Sequence, residues 1–318
     1  MKKNILVIGG GGYIGSSTCL QLENNGFNPI IYDNFSMGFK DVISSYDIIE
    51  GDISNENKIN KILVKFKPIA VYLFAAKTSV HESIENPFEY YMTNIHGSLN
   101  VIRCIANANI KNIIFSSSSS TYGNYSKQVK EDANQKPVSP YGQSKSYVER
   151  ILYELACKKI INQISLRYFN VCGVDVNRSI GDYYDPPIRF IPKALKSSYE
   201  NKELIVFTSN HNKYPTRDFV HLQDVIEANI LALKYILVHE TNLTFNIGSG
   251  VGISLNRILD YIKSNINDIN YIKKPISYGD PIYCVANIDK AKILLDWNPR
   301  NSKIETIIND INKWWLKN

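Results

Sequence analysis

The chain has 318 residues, 44% of them hydrophobic and 21% charged, with a formal net charge of +6 at pH 7. This composition is sufficient for a full core in one large α/β domain or in two lobes. Basic and acidic residues are interspersed without a Lys/Arg block, so the charge indicates surface solvation and not nucleic-acid binding. The apolar run near the N-terminus is too short for a signal peptide or a membrane span, so we expect no membrane association.

The cysteines and histidines are dispersed along the sequence. Five cysteines occur without a CxxC pair, and their odd number does not suggest a disulfide framework. We therefore expect a reducing, cytoplasmic environment. The five histidines show no ligand-like clustering, so no metal site is predicted.

A glycine-rich segment, Gly9–Gly15, lies between an apolar run that ends at Ile8 and a helix-like run from Ile14 to Leu22. The order of strand, glycine turn and helix is typical of a dinucleotide site. Such glycines permit the tight turn, let backbone N–H groups approach a pyrophosphate and let the helix pack closely on the strand. The helix N-terminus favours the phosphates. A flexible linker would not lie between a buried strand and a packed helix.

A second apolar run, Pro29–Tyr32, ends at Asp33. An acid about twenty residues beyond the glycines accepts hydrogen bonds from a ribose hydroxyl. A carboxylate at this position repels a 2′-phosphate, so NAD is favoured over NADP. Lys40 alone is too little to argue for NADP.

The next strand is predicted over Tyr46–Glu50 and is followed by Asp52. An acid at the end of a strand suits hydrogen bonding to an adenine. Asp52 is also a candidate N-cap for the helix predicted over Asn55–Phe66. The two interpretations are compatible.

Small and polar residues follow the two strands predicted next. The run Ile69–Phe74 leads into Ala75–Val80, where small side chains leave room for a ligand at the sheet's crevice. One helix is predicted from Pro87 to Ala108. The strand Asn112–Phe115 then enters the serines Ser116–Ser120, a run typical of a loop, which would place hydroxyls at the crevice.

Tyr141 and Lys145 lie four residues apart on a helix predicted over Pro140–Lys158. This spacing puts both side chains on one face. An ammonium near the phenol lowers the tyrosine pKa from its usual value of about 10 and makes the tyrosine a usable general base. By itself the pair is weak evidence. The dinucleotide fingerprint and the serine-bearing strand end favour a catalytic interpretation.

These motifs resemble those of the extended short-chain dehydrogenase/reductase family, and most closely its UDP-glucose 4-epimerase branch. The resemblance covers nearly the whole chain. The matching motifs are Gly9–Gly15, Asp33–Ser36, Gly51–Ile53, Phe74–Ala76, Phe115–Ser118, Tyr122–Gly123, Tyr141–Lys145, Leu166–Asn170, Arg217–His221, Asn246–Gly250, Gly279–Asp280 and Trp297–Pro299.

The resemblance implies transient oxidation of a nucleotide-sugar: hydride leaves C4 of the hexose for NAD and returns to the other face of the 4-keto sugar. Tyr141 would be the acid/base on the 4-hydroxyl. Lys145 would tune Tyr141 and bind the nicotinamide ribose, and Ser118 would bond the same sugar oxygen. The cofactor-binding residues would be Gly9, Gly12, Tyr13, Ile14, Gly15, Asp33, Asn34, Ser36, Asp52, Ile53, Phe74, Ala75, Ala76, Lys77, Thr93, Ser116 and Phe169. The substrate-binding residues would be Asn170, Arg189, Arg217, Asp280 and Cys284.

The resemblance also implies an architecture. We expect an α/β fold with a Rossmann-type doubly wound parallel sheet and a smaller C-terminal α/β substrate lobe. Residues 1–170 and 217–248 would bind NAD, residues 171–216 and 249–318 would bind the UDP-sugar, and the cleft between the lobes would be the site. The helices predicted over Pro87–Ala108 and Pro140–Lys158 would form a four-helix homodimer interface.

Several positions depart from the epimerase pattern. Ser277 stands where the family has a diphosphate-binding arginine; Arg189 is the candidate replacement, and the alternative is a surface arginine at a helix start. Cys284 falls where a bulky tyrosine in some epimerases blocks the C2 substituent, so a small residue implies room for an N-acetyl group. A slip of one position onto Tyr283 would reverse that inference. The segment Asn210–Thr216 is short, as in branches that act on N-acetylhexosamines.

Two other classes remain open. A dehydratase or another nucleotide-sugar oxidoreductase could share the fold, but the family's dehydratases carry Asp-Glu after the active-site residue, where this chain has Ser119 and Ser120. A non-catalytic NAD-binding protein would typically lose the pair formed by Tyr141 and Lys145, and this chain retains it.

Overall fold

The computed structural model describes residues 2–175, 180–182, 184, 186–209, 213–276 and 281–317. Strands and helices alternate along most of this part of the chain. The strands are β1 (Lys3–Ile8), β2 (Phe27–Asp33), β3 (Asp47–Glu50), β4 (Ala70–Leu73), β5 (Asn112–Ser118), β6 (Asn162–Tyr168), β7 (Asn170–Cys172), β8 (Leu204–Thr208), β9 (Thr216–His221), β10 (Asn242–Ile247), β11 (Gly252–Ser254), β12 (Tyr271–Pro275) and β13 (Tyr283–Cys284).

Helices connect most of these strands. They are α1 (Tyr13–Asn24), α2 (Glu56–Phe66), α3 (Val80–Glu85), α4 (Pro87–Tyr90), α5 (Ser98–Asn107), α6 (Pro140–Cys157), α7 (Phe190–Tyr199), α8 (Leu222–Ile236), α9 (Leu255–Asn265), α10 (Asp289–Leu295) and α11 (Ile304–Trp315). Among the described residues, no helix is long and apolar enough to cross a membrane.

The main sheet, as described, has seven strands in the order β10-β6-β5-β4-β1-β2-β3. Strand β1 pairs in parallel with β2 on one side and with β4 on the other. The chain therefore winds outward in both directions from β1, which creates a switch point between the carboxyl ends of β1 and β4. This order confirms the predicted Rossmann-type doubly wound sheet.

Strand β1 shows why the apolar runs form the centre of this sheet. Its residues Ile5 to Ile8 are 0% exposed, because a parallel sheet covered by helices on both faces buries both sides of each strand. On one face, Leu6 and Ile8 pack in a cluster with Ile59 and Ile62 of α2 and Val101 of α5. Apolar residues therefore occupy consecutive positions in these strands instead of alternating with polar ones.

The helical prediction over Pro87–Ala108 is confirmed in extent, but the middle of the segment is not α-helical. The structure has α4, then a π-helical segment (Tyr91–Gly97), and then α5. Asn94 in this segment is 2% exposed, and its side chain bonds the backbone N–H and C=O of Lys77 and the hydroxyl of Ser144. These tertiary bonds stabilise the wider turn, which helical periodicity does not reveal.

The serine run is only partly a loop, because its first three residues belong to the strand. Strand β5 continues to Ser118, and a 3₁₀ turn over Ser119–Thr121 follows. Serine suits a buried strand when its hydroxyl has a partner. The Ser117 hydroxyl donates to the Glu149 carboxylate.

Asp52 does not cap α2. The cap is Asn55, whose side-chain oxygen accepts from the Lys58 N–H at 3.0 Å. Asp52 instead accepts from the N–H of Ser54 at 2.9 Å, two residues along, and closes an Asx-turn. Asp52 is therefore a turn residue at the edge of the sheet.

The chain forms two compact units. Unit 1 comprises the described residues up to Tyr122 together with Gln135–Arg167 and Ile226–Phe245, and it contains most of the main sheet. Unit 2 comprises Gly123–Asn134, Tyr168–Val225 and the described residues from Asn246 onward. The predicted assignment of one lobe to NAD and the other to the UDP-sugar stays a prediction.

Unit 2 is built on a smaller sheet in which β9 pairs with β7, β11 and β13, and on the parallel pair β8 and β12. Helices α7, α9 and α11 bury their apolar stripes in its core. The buried carboxylate of Asp218 on β9 accepts from the N–H groups of Ser249, Gly250 and Ala286 at 2.6–3.1 Å. Asp218 thus connects three segments of unit 2.

Candidate active site

The glycine turn follows β1 at the switch point of the main sheet. Gly9 has φ of +84°, and a Cβ there would lie 2.4 Å from the backbone nitrogen of Ala75, which follows β4. A Cβ on Gly15 would lie 2.2 Å from the carbonyl oxygen of Gly9. Glycine is therefore required at both positions: one lets the segment after β4 approach, and the other packs α1 on the turn.

Gly12 leaves space where Gly9 and Gly15 do not. A Cβ on Gly12 would meet only the Gly9 carbonyl oxygen, at 3.5 Å. Gly12 is the N-cap of α1, has no side chain to cap the helix, and precedes a first turn without acidic residues. The segment Gly9–Gly15, here called the glycine cradle, thus presents backbone N–H groups and the positive end of α1. Both fit the pyrophosphate of a dinucleotide. The first helical residues, Tyr13 and Ile14, lie at this end.

Asp33 ends β2 beside the glycine turn and is 9% exposed. Its Oδ2 accepts from the Gly11 N–H at 2.8 Å, and its Oδ1 accepts from the Phe35 N–H at 2.7 Å. Burial raises the pKa of Asp33, and these backbone N–H groups oppose that shift. Each carboxylate oxygen retains a lone pair, so Asp33 has the acceptor capacity that a ribose diol requires.

The predicted adenosine-contacting residues lie close to Asp33. Asn34 donates to Asp52 Oδ2 at 2.8 Å and accepts from the hydroxyl of Ser36 at 2.9 Å. Ile53 is buried and contacts the glycine position Gly97 in the π-helical segment. The structure thus brings Asn34, Ser36 and Asp52 into one hydrogen-bonded group.

The segment after β4 carries four more predicted cofactor residues, all half-buried: Phe74, Ala75, Ala76 and Lys77. The N–H groups of Phe74 and Ala75 donate to the Ile8 carbonyl, at 2.8 and 3.0 Å, which joins the segment to the end of β1. The Lys77 ammonium lies 2.5 Å from Glu89 and 3.4 Å from Glu82. Lys77 is therefore engaged by two carboxylates, and its contact with a cofactor stays a prediction. The half-buried Thr93 lies in the π-helical segment.

Tyr141 and Lys145 both lie in the buried part of α6, with 8% and 2% exposure. The helix begins as predicted, with Pro140 in its first turn and Ser139 as N-cap. The Lys145 Nζ donates to the Ser116 carbonyl at 2.7 Å and lies 6.0 Å from the centre of the Tyr141 ring. The prediction that both side chains share one face of the helix is confirmed.

Ser118 ends β5 and is 8% exposed. Its hydroxyl accepts from the Ser120 N–H at 3.1 Å. Because Ser116 binds Lys145, the strand that carries Ser118 is in direct contact with the Tyr141 helix. A phenol, an ammonium and a hydroxyl side chain thus come from two adjoining elements of unit 1.

The environment of Lys145 tunes its charge. Burial lowers the pKa of Lys145, and the Glu149 carboxylate, one helical turn further, offsets part of that shift. The resulting pKa of Lys145 is about 7. The Nζ also lies 4.9 Å from the centre of the Phe115 ring. Lys145 therefore loses its charge as the pH rises through about 7, and the support of the ammonium for a Tyr141 phenolate is present below that pH.

Unit 2 carries the predicted nucleotide-sugar residues. Asn170 on β7 donates to the Asp218 carbonyl at 3.2 Å. Arg217 on β9 is in register with Cys284 on the neighbouring strand β13, and both are buried. The N–H of Phe169, a predicted cofactor residue, donates to the Ile247 carbonyl at 3.0 Å. The structure thus gathers Asn170, Arg217 and Cys284 around β9.

The remaining substrate predictions concern charge near the diphosphate. The Nη1 atom of Arg189 lies 2.8 Å from Oδ1 of the buried Asp182, so its charge is paired within unit 2. Whether Arg189 replaces the missing arginine stays a prediction. Ser277, Asp280 and the first part of Asn210–Thr216 lie outside the described residues.

Three polar residues that bond the helix of Tyr141 and Lys145 to its neighbours were assigned no role from the sequence. Asn94 connects the segment after β4 to α6 through Lys77 and Ser144. The Glu149 carboxylate on α6 pairs with Arg167 on β6 at 2.6 Å, and both side chains are about 6% exposed. The signal for Glu149 in the sequence is a charged side chain at helical spacing from Lys145. The signal for Arg167 is an arginine inside an apolar strand.

The doubly wound sheet, the glycine cradle at its switch point and the buried tyrosine–lysine pair define the class of dinucleotide-binding α/β proteins. The model of the NAD dependent epimerase/dehydratase family matches residues 5–248. The chain belongs to this family.

Relatives and solved structures resemble the chain over almost its whole length. The UDP-glucose 4-epimerase of Rhizobium meliloti is 34% identical, over 94% of this chain and 93% of that protein. The crystal structure of the Brucella ovis UDP-glucose 4-epimerase in complex with NAD is 32% identical, covers 97% of both chains and has a TM-score of 0.91. The Thermotoga maritima UDP-glucose 4-epimerase with UDP-glucose is 30% identical, covers 99% of both chains and has a TM-score of 0.88.

Proposed function

We propose that this protein is an isomerase that interconverts the C4 epimers of a UDP-hexose with NAD, through a transient 4-keto sugar. The observation that carries the proposal is the buried pair Tyr141 and Lys145, in which Lys145 donates to the Ser116 carbonyl of β5. The similarity to UDP-glucose 4-epimerases over nearly the full chain, including structures with NAD and with UDP-glucose, supports it.

The glycine cradle and its neighbours would hold the cofactor. Gly9, Gly12 and Gly15 would receive the pyrophosphate at the N-terminus of α1, and Asp33 would accept the adenosine ribose hydroxyls. A 2′-phosphate beside the Asp33 carboxylate would be repelled, which favours NAD. When bound, NAD accepts a hydride from C4 of the sugar and returns it.

Tyr141 supplies the acid/base step. Its phenolate takes the proton of the C4 hydroxyl as the carbon is oxidised, and the phenol returns a proton to the C4 oxygen on reduction. The Lys145 ammonium stabilises the phenolate electrostatically. Ser118 holds the same sugar oxygen by a hydrogen bond. Both faces of the sugar must reach one hydride position, so the nucleotide is bound firmly and the hexose loosely, with Asn170 and Arg217 on the nucleotide side.

The hexose pocket would accept UDP-glucose and UDP-galactose, and also UDP-N-acetylhexosamines. The small side chain of Cys284 supports the wider range, because it lies on β13 in register with Arg217. Its neighbour Tyr283 is half-buried. Successive strand residues point to opposite faces, so only one of the two borders a ligand on a given side.

Dehydration is the rival chemistry within the family. It requires an acid and a base that eliminate water across C5 and C6 of the sugar. Ser119 and Ser120 follow Ser118 in a 3₁₀ turn. Their hydroxyls do not titrate in the range needed for that role, so epimerisation is favoured.

The test is a product assay without added NAD. Purified protein is incubated with UDP-glucose and, separately, with UDP-N-acetylglucosamine, and the 4-epimers are sought by NMR. We expect conversion of both, because the cofactor is regenerated in each cycle. A rate for the N-acetyl sugar more than about tenfold below that for UDP-glucose, about 1.4 kcal/mol in transition-state binding, would contradict the Cys284 argument. Bound NAD without conversion of either sugar would contradict epimerisation.

The apolar surface of helices α4, α5 and α6 supports a homodimer as the working form. Phe88, Met92 and Leu99 are 83%, 59% and 45% exposed and recur at helical spacing. On α6, Tyr147 is 48% exposed and lines a groove together with Ile95, Arg150, Ile151 and Glu154. Exposed apolar stripes of this kind mark interaction surfaces, and two copies would bring these helices together as one bundle.

Sedimentation velocity tests this interface. The wild-type protein should sediment with twice the mass of one chain at micromolar concentration, and the double variant Leu99→Glu/Tyr147→Glu with the mass of one chain, because buried carboxylates without partners oppose association. Val238→Glu, at a residue 74% exposed after α8, is the matched control and should stay dimeric. A monomeric wild-type protein would refute the proposal.

A cytoplasmic location is part of this proposal. All five cysteines are free thiols, and four of them are buried. A reducing compartment keeps such thiols reduced.

Among the described residues, no cluster of ionisable side chains suits a metal ion.

A further inference from the structure

Glu149 lies on α6 one helical turn beyond Lys145 and two turns beyond Tyr141. Residues four positions apart share a helix face, so Glu149 continues the row that the catalytic pair begins. Only 6% of its surface is exposed. A buried carboxylate persists in a fold only when other groups pair with it and satisfy its lone pairs.

The Glu149 carboxylate is satisfied by three side chains. Arg167 donates from Nε to Oε1 at 3.0 Å and from Nη2 to Oε2 at 2.6 Å, the bidentate arrangement that gives the strongest pairing. Gln135 donates to Oε2 at 2.6 Å, and the Ser117 hydroxyl donates to Oε1. Arg167 is itself held by Tyr122, whose hydroxyl accepts from Nη1 at 2.7 Å. The network therefore joins α6 to strands β5 and β6.

Ser117 makes this network relevant to the chemistry. It lies between Ser116, whose carbonyl accepts from Lys145, and Ser118, the candidate hydrogen-bond donor to the sugar. A slide of α6 along β5 would break the Glu149–Ser117 bond and the Lys145–Ser116 bond together. Glu149 is thus bonded to the strand beside the residue that Lys145 contacts.

Charge is the second connection between Glu149 and the pair. From its own helix, Tyr141 and Glu149 flank Lys145 one turn to either side. Helix α3, which packs on α6, contributes Glu82, whose carboxylate accepts from the Tyr90 hydroxyl at 2.9 Å. Strand β6 contributes Arg167, which is bound to Glu149, and α4 contributes Tyr90, whose ring packs edge-on against Tyr141. Strand β5 contributes the Phe115 ring and the Ser116 carbonyl to Lys145. Glu149 is therefore the negative charge that favours the ammonium form of Lys145.

We propose that Glu149 is a positioning residue of this active site: clamped by Arg167, it sets the register of α6 on β5 and places a carboxylate one helical turn from Lys145, where it stabilises the ammonium. The inference rests on the proposed function for its role in turnover. Its effect on Lys145 is independent of turnover.

The first test is Glu149→Gln. The change removes the negative charge and leaves Arg167 positive, and both effects disfavour the ammonium of Lys145. In holoenzyme labelled with ¹³C at the lysine Cε, Lys145 of the variant should titrate about one pH unit or more below Lys145 of the wild type. The alkaline limb of kcat should move down equally, so kcat falls about tenfold at pH 8, while KM for the UDP-sugar changes less than about twofold.

A second variant keeps the proposal testable, because an unpaired buried arginine can prevent folding. The double variant Glu149→Gln/Arg167→Met removes both charges, so no unpaired charge is left buried. Its Lys145 titration should lie between those of the wild type and the single variant. A wild-type titration and pH profile in the folded double variant would overturn the proposal and leave Glu149 as a structural residue.

The matched control is Glu305→Gln, which breaks an exposed pair with Arg257 of 2.8 Å in unit 2. It should leave kcat, its pH profile and the Lys145 titration unchanged. If the wild-type chain epimerises no UDP-sugar, the proposed function fails, and the Lys145 titration still decides the inference about Glu149. An unchanged Lys145 titration in an active Glu149→Gln enzyme refutes the inference alone.

Discussion

Replacement of Tyr141 with phenylalanine should reduce C4 epimerisation by about a thousandfold, because removal of the general acid/base leaves the C4 hydroxyl without a proton acceptor. The phenylalanine ring keeps the edge-on packing against Tyr90, whose ring centre lies 6.4 Å from that of Tyr141. The fold should therefore persist. NAD should remain bound, as measured by the absorbance of the nucleotide released on denaturation, while kcat is followed by NMR of the epimers.

Tyr153→Phe is the matched control for this experiment. It removes the same hydroxyl from the same helix at a position that is 57% exposed. Its kcat should equal that of the wild-type enzyme. Full activity in the Tyr141→Phe enzyme would remove Tyr141 from the mechanism.

Gly12→Ala should lower NAD affinity by at least about tenfold, or 1.4 kcal/mol, without loss of stability. The backbone of Gly12 has φ of −74°, which alanine adopts without strain, and its Cβ would make only an ordinary contact with Gly9. The added methyl group would occupy the space into which the pyrophosphate must fit. Calorimetric titration with NAD measures the affinity, and thermal unfolding of the NAD-free protein measures the stability.

Gly15→Ala should act through the fold instead. Its Cβ would lie 2.2 Å from a backbone oxygen, so α1 must move away from the turn, and overpacking of this kind costs about 1–3 kcal/mol. Both NAD affinity and the temperature of unfolding should fall. Gly26→Ala, at φ of +81° with open space around it, is the control: stability should fall while NAD affinity is kept. A Gly12→Ala protein that binds NAD with wild-type affinity would contradict the placement of the pyrophosphate at Gly12.

The first half of the fold was predictable because its signals are local. The run Ile5–Ile8 is apolar throughout since β1 is covered on both faces, and two of the glycines that follow, Gly9 and Gly15, are required by close backbone approaches. The helix that carries Tyr141 starts at a proline with a serine cap. Each of these features depends on residues close together in the chain, so the sequence shows it directly.

Two local details that the sequence did not reveal have a common cause. The π-helical segment in Pro87–Ala108 depends on bonds from Asn94 to residues 17 and 50 positions away. The extension of β5 to Ser118 depends on a partner for the Ser117 hydroxyl on α6. Periodicity and turn propensity contain no information about such distant partners. Local propensities alone therefore favoured a regular helix and a serine loop.

The candidate site divides in the same way. Gly12, Asp33, Tyr141 and Lys145 were identified from spacing and residue chemistry, and the structure brings all of them into unit 1. The network of Glu149, Arg167 and Ser117 was not predicted, since its members come from three elements separated by up to 50 positions. A buried charge acquires its role from the partners that the fold supplies.

The sequence by itself determined the class of fold and predicted the glycine turn and the candidate acid/base pair, because strand and helix periods, glycine spacing and an i, i+4 pair are local patterns. Only the tertiary structure decided the protonation environment of Lys145, the pairing of Arg189 with Asp182 and the register of Cys284 beside Arg217. These properties depend on burial and on distances between residues far apart in the chain, which arise only when the sheet and its helices have assembled.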